Sequence, residues 1–192
     1  MSLLESVLNK SINLLIDVAP KLANLPKNER DFYRMKIEET YRLFDQVIML
    51  IMNRLGTIKS LPDNDEDEFF KQLRLLNNVE GWIDKERDVR LYKPISDALR
   101  EMNSILPKIK AKLSLRDDDE VRRMFEIMAS GRGFFADYIT KSLEDLTKLE
   151  EKQPHSHERY LEARQMVKKK YEEVSQKRKE LIAAEMKLYD VI

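Results

Sequence analysis

Cysteine is absent from the 192 residues of the sequence, and glycine occurs only four times. The lack of cysteine excludes thiol catalysis, disulfide bonds and zinc sites built on thiolates. Long apolar runs are also missing, since the longest, at 47–52, falls far short of the roughly 20 residues that a membrane-spanning helix needs. The N-terminal segment carries Glu5 where a signal peptide would carry positive charge. We therefore expect a soluble, cytoplasmic protein with no membrane span.

No single sign of charge dominates the sequence. Lysine and arginine together number 35, and aspartate and glutamate together also number 35. This balance argues against a protein that binds nucleic acid or membranes over its whole surface, although it is compatible with a local basic patch. Charged residues make up 36% of the chain and hydrophobic residues 42%, which is typical of a globular domain rather than a disordered segment.

The residue types that are plentiful favour helices. Leu, Glu, Lys, Met and Arg dominate, whereas Val, Ile and Thr do not form the alternating runs of strands. Six segments place apolar residues at alternating spacings of three and four, which marks one face of a helix. The sequence therefore predicts an all-α fold, a single domain spanning 1–192 and built as an elongated antiparallel bundle of about six helices, several of them long. A linker at 84–94 is the place where this domain could divide.

The second segment is predicted to form the central helix. It begins near Pro26, which suits a first helical turn, and its apolar positions continue without a polar interruption. These positions are Ile37, Tyr41, Phe44, Ile48, Ile51, Leu55 and Ile58. An acidic stretch at 61–68 follows and is predicted as a loop and the first turn of a third helix, because carboxylates stabilise a helix N-terminus. That third helix is expected to bury Phe69, Leu73 and Leu76 and to end at 77–81.

The sixth segment is predicted as another long helix. Pro154 precedes it, and Ser156 is expected to cap its N-terminus. Its apolar positions include Tyr160, Val167, Tyr171, Val174, Leu181 and Leu188. The stretch 175–180 in its middle contains no apolar residue, so we expect it either to be poorly buried or to meet polar groups on another chain.

The fifth segment contains two of the four glycines, Gly131 and Gly133, on either side of Arg132. Its apolar spacing of four and three runs from 121 to 149 through both glycines, which predicts one helix, continuous or mildly kinked. A phosphate-binding loop is disfavoured because the lysine and Ser or Thr that should follow the last glycine are missing. Arg132 lies on the apolar face and is expected to pair with a carboxylate of a neighbouring helix or subunit.

Sequence signatures of catalysis are lacking. His155 and His157 are the only histidines, and they lie beside a proline-marked turn rather than on a strand where their spacing would chelate a metal. The Glu-x-x-His pattern of di-metal bundles does not occur, and neither do nucleophile, triad or dinucleotide motifs. We expect no metal and no cofactor, and we favour a protein that is not an enzyme.

Basic residues concentrate at 85–93 and at 168–179. The candidate partner- or anion-binding residues are Arg87, Arg90, Tyr92, Lys93, Arg132, Lys169, Lys170, Lys177 and Arg178. Cations beside an aromatic ring can hold a phosphate backbone and stack a base, which suggests a nucleic-acid-associated accessory subunit as one hypothesis. Long apolar helix faces without catalytic motifs favour the other, a non-catalytic protein–protein interaction or scaffold module that self-associates or joins a larger assembly. In that case helix six is the expected contact between copies.

Overall fold

The computed structural model describes residues 20–77, 143–151 and 156–191, and the individual positions 9, 13, 17, 97, 100, 101, 104, 107, 108 and 111. These residues form helices joined by turns, with no strand among them. The predicted all-α fold is therefore confirmed. The predicted linker at 84–94 lies outside the described residues.

The central helix, α1, spans Lys27–Lys59 and is preceded by Pro26, as the sequence predicts. The predicted apolar face is its buried face, for the exposed fractions of Ile37, Tyr41, Ile48, Ile51, Leu55 and Ile58 are all 3% or less. The side chain of Phe44 is outside the described part. These positions repeat every seven residues, the spacing with which one helix packs along another.

The loop after α1 leads into a short second helix, α2, at Glu66–Arg74. The carboxylate of Asp65 caps it by accepting a hydrogen bond of 3.1 Å from the amide of Glu68. The first turn is acidic, as predicted, and the helix passes into a 3-10 turn at Leu75–Asn77. Phe69, Phe70, Leu73 and Leu76 are buried, so this short element is held by its apolar face.

The third helix, α3, spans Glu144–Glu151. The fifth segment was expected to form one helix from 121 to 149, continuous or mildly kinked; of that range the structure describes 143–149, where Leu143 lies in a turn and the helix follows. The carbonyl of Leu143 accepts hydrogen bonds from the amides of Leu146 and Thr147 at 3.0 and 3.2 Å, so a helix begins here, with acidic residues in its first turn. The apolar spacing does not reveal this start, because Leu143 and Leu146 are both buried. Gly131 and Gly133 lie outside the described residues.

The fourth helix, α4, spans His157–Val191. The predicted cap is confirmed, since the hydroxyl of Ser156 accepts a hydrogen bond of 3.3 Å from the amide of Arg159. The buried residues again recur every seven positions, at Tyr160, Val167, Val174 and Leu181. Two small residues of α4, Ala163 and Ala184, are also buried. This spacing allows α4 to follow α1 along its length.

Helices α1 and α4 are antiparallel. Arg34 of α1 contacts Tyr189 of α4, and Asp45 contacts Arg178, so residue numbers rise on one helix as they fall on the other. With 33 and 35 residues, each helix is about 50 Å long. Helices α2 and α3 pack at the end where α1 finishes and α4 begins. None of the described helices is both long and apolar enough to span a bilayer.

Candidate functional site

The basic residues predicted on α4 are held by carboxylates of the same chain. Lys169 and Lys170 lie 3.9 Å from the carboxylate of Glu173, and Lys177 lies 2.8 Å from that of Glu180. The guanidinium of Arg178 donates two hydrogen bonds to Asp45 of α1, at 2.6 and 3.0 Å. These four cations are therefore engaged in contacts that hold the helix and its neighbour.

The polar stretch 175–180 was expected either to be poorly buried or to meet polar groups on another chain. None of its six residues is buried, and its arginine meets a carboxylate of α1 within the same chain. The pairing joins residues 133 positions apart, so no local pattern could indicate it.

The other predicted binding residues fall outside the described part of the chain. These are Arg87, Arg90, Tyr92, Lys93 and Arg132. Of the two histidines, His157 is described, and its Nδ1 lies 2.6 Å from Oε1 of Glu66. This contact ties the start of α4 to the start of α2, and in the described part of the chain no cluster of three or more His, Asp or Glu could hold a metal ion.

A polar seam runs along the side of α4 that faces α1. It consists of Arg164, Tyr171, Arg178 and Glu185, spaced seven residues apart. Tyr171 lies against Gly56 of α1, where a Cβ atom would be 3.5 Å from the tyrosine ring. Lys59 Nζ stands 4.1 Å from the centre of the same ring. Within the seam, Tyr171 and Arg178 contact α1 at positions two turns apart along α4.

Glu185 is the acidic member of the polar seam. Burial raises the pKa of its carboxyl group above the ordinary value, and the nearby carboxylates of Asp45 and Glu38 raise it further, against a lowering by Arg42. The pKa of the buried Tyr41 hydroxyl is also raised, chiefly by burial and to a lesser extent by the charge of Glu185. The seam therefore contains one carboxylate in a position that disfavours its charge.

Four large apolar side chains are exposed at the end where α1 begins and α4 finishes. They are Phe32, Met35, Met186 and Tyr189, exposed by 45%, 51%, 62% and 43%. Phe32 and Met35 are one turn apart on α1, and Met186 and Tyr189 are one turn apart on α4. The guanidinium of Arg34 lies 5.0 Å from the centre of the Tyr189 ring, which places α1 and α4 side by side at this end. We call these four residues the terminal patch.

Charged residues of both signs flank the terminal patch. Asp31 and Arg42 are exposed on α1, and Lys187 and Asp190 are exposed on α4. Apolar side chains surrounded by mixed charge are suited to contact with another protein surface rather than to chemistry on a substrate.

Sequence reasoning did not identify the terminal patch. Phe32 and Met35 are apolar but fall outside the spacing of the buried face of α1, which begins at Tyr33 and Ile37. That mismatch was the signal available, although an isolated exposed apolar residue is common on protein surfaces. Only the antiparallel pairing of α1 with α4 shows that the exposed apolar residues of the two helices lie at the same end of the pair.

No family model, no curated protein and no solved structure matches the chain. Any proposal about its function therefore depends on the geometry described above.

Proposed function

We propose that this chain is a non-catalytic interaction module that associates with a second copy of itself through the terminal patch. The observation that supports this proposal is the exposure of four large apolar side chains at the same end of two neighbouring helices. Covering one such half-exposed side chain contributes about 1 kcal/mol. Four of them together form a favourable centre for an interface.

A second copy is the partner that the charges favour. The chain has equal numbers of acidic and basic residues, so two copies do not repel each other through net charge. A two-fold interface brings the same surface together from both sides, and a rim with both signs can then pair with itself. Asp31 and Asp190 supply the negative charges of that rim, and Arg42 and Lys187 supply the positive ones.

The backbone that carries the terminal patch is well supported. Arg34 pairs with Glu38 one turn further along α1 and stacks on Tyr189 of α4. Tyr33 and Ile37, on the same turns of α1, are buried. A patch on two packed helices loses little conformational entropy when a partner covers it.

The test is the mass of the protein in solution, measured by light scattering over a wide concentration range. We expect the wild-type chain to form a dimer, and Met35→Glu or Met186→Glu to weaken the dimer by about tenfold or more, since each places a charge in an apolar contact. Leu161→Glu is the matched control, because Leu161 is an exposed apolar residue near the opposite end of α4. A wild-type chain that remains a monomer throughout, or Met variants that dimerise like the control, would overturn the proposal.

The alternative expected from the sequence, a nucleic-acid-associated accessory subunit, draws less support. Phosphate binding needs cations that are free to leave their protein partners. Lys177 and Arg178 are engaged at 2.8 and 2.6 Å by Glu180 and Asp45, and Lys169 and Lys170 share Glu173.

A further inference from the structure

A cleft of about 430 Å³ lies at the end of the α1–α4 pair opposite the terminal patch. Lys59 at the end of α1, the loop after it and the first turns of α4 form its walls. We call it the basal cleft. Its volume is in the range of sites that hold a small molecule or a short segment of another protein.

One wall of the basal cleft is fixed by Arg164. Its Nη1 atom lies 3.0 Å from the carbonyl oxygen of Leu61 and 3.2 Å from that of Pro62. It also donates to the hydroxyl of Tyr160 at 2.7 Å, and Nη2 lies 2.6 Å from the carboxylate of Asp63. Arg164 therefore holds the loop in place, and Asp63 largely offsets its charge.

Two other cations of the basal cleft have no such partner. Among the residues that the structure describes, neither Lys59 nor Lys168 has a carboxylate within salt-bridge distance, and the ammonium group of Lys59 rests only over the ring of Tyr171. This contrasts with Lys169, Lys170 and Lys177 on the same helix, each of which has an acidic neighbour. The cleft thus presents two available positive charges.

The shape of the basal cleft is elongated along α4. His157, Leu161, Arg164 and Lys168 line it at spacings of three and four residues, so its floor extends about 16 Å along the helix. Leu161, which is 48% exposed, lies two turns before Lys168, whereas Lys59 lies near Tyr171, beyond Lys168. An occupant that matches this floor needs acidic groups toward one end and an apolar group toward the other.

We propose that the basal cleft binds an acidic and apolar peptide segment of a partner protein, with carboxylates at Lys59 and Lys168 and an apolar side chain on Leu161. Complementary charge selects such a segment and speeds its association. A nucleic-acid strand fits less well, because the neighbouring loop and the first turn of α2 carry the exposed acids Asp63, Asp65 and Asp67. These acids repel a continuous line of phosphates but leave room for isolated carboxylates.

The test is fluorescence anisotropy with a labelled peptide of about 12 residues, long enough to span the cleft as a helix, carrying Glu and Leu at alternating helical spacings. We expect the peptide to bind the wild-type chain and its Glu→Gln counterpart to bind about tenfold more weakly or worse. Lys59→Glu and Lys168→Glu should each weaken binding by about fivefold or more. The control, Lys179→Glu, makes the same charge change on an exposed lysine of α4 outside the cleft and should bind like the wild type.

Further binding measurements separate the proposed peptide site from a nucleic-acid site and from nonspecific binding. A labelled single-stranded oligonucleotide that binds more tightly than the acidic peptide, and loses affinity in Lys59→Glu, would assign the cleft to nucleic acid and overturn the proposal. Equal binding of the Glu and Gln peptides, or no loss in either lysine variant when circular dichroism shows an intact helical fold, would also overturn it. Met186→Glu, which targets self-association, should leave peptide binding unchanged, so the two proposals fail independently.

Discussion

Arg178 of α4 and Asp45 of α1 form a two-pronged ion pair, with Nε at 2.6 Å from Oδ1 and Nη2 at 3.0 Å from Oδ2. Both side chains are half-buried, with 29% of each exposed. A paired geometry of this kind accepts only one register between the helices. It therefore favours one register of α4 on α1.

The first prediction concerns the strength of this pair. Arg178→Gln and Asp45→Asn should each lower the free energy of unfolding by about 1 kcal/mol, and a double-mutant cycle should give a coupling of about 1 kcal/mol. Urea denaturation measures these values. Lys169→Gln is the control, since its ion pair is long and exposed, and it should change stability little. A coupling indistinguishable from zero would show that apolar packing alone sets the register.

The second prediction concerns Gly56, which faces Tyr171. A Cβ atom at this position would meet the Tyr171 ring at 3.5 Å, an ordinary contact. Gly56→Ala should therefore raise the free energy of unfolding by up to about 1 kcal/mol, because alanine favours a helix more than glycine does. Gly56→Leu should lower it instead, since a larger side chain must displace the ring. Thermal denaturation of both variants gives the answer, and a stabilising Gly56→Leu would contradict the close approach of α1 and α4.

The third prediction concerns the loop between α1 and α2. Arg164→Met keeps the apolar stem of the side chain but removes its bonds to Leu61, Pro62 and Asp63. We expect a loss of about 2 kcal/mol in the free energy of unfolding and faster amide exchange at 61–65. Lys179→Met, which changes an exposed residue of the same helix, should alter neither. Unchanged exchange in the loop of Arg164→Met would show that the loop is held by other contacts.

The fourth prediction is a pH dependence from Glu185. Because burial and the carboxylates of Asp45 and Glu38 raise the pKa of Glu185, the folded state binds its proton more tightly than the unfolded state does. The carboxylate therefore destabilises the fold above the raised pKa, and this penalty disappears as the pH falls below the ordinary value of 4.5.

Glu185→Gln should consequently be more stable than the wild type at neutral pH, by less than about 1 kcal/mol because the group is partly solvated. Its advantage should vanish in acid. Melting temperatures across this pH range measure the difference, with Glu172→Gln, an exposed glutamate of α4, as the control. A stability difference that grows as the pH falls would mean that folding does not raise the pKa of Glu185.

Features that depend on neighbouring residues were predictable. The start of α1 next to Pro26 follows from the backbone angle that proline fixes, and the start of α4 follows from the cap supplied by Ser156. The buried face of α1 from Ile37 to Ile58 follows from the period of the helix. The turn at Leu143 could not be read from the spacing of apolar residues, because Leu143 and Leu146 are both buried.

Features that depend on distant residues were not predictable. The carboxylate that meets Arg178 lies 133 positions away, and the polar stretch around it gave no indication of which surface it would face. That no acid of the described ranges lies within salt-bridge distance of Lys59 or Lys168 also depends on which acids the fold brings near, since both lysines lie in sequences rich in charge.

The sequence by itself determined that this protein is helical, where its long helices start and which face of each is buried, because these properties arise from contacts within one or two turns. Only the tertiary structure decided which helices lie side by side, in which register, and which charged and apolar groups remain available. Those outcomes arise from the packing of α1 against α4, where side chains far apart in the chain compete for the same space and the same partners.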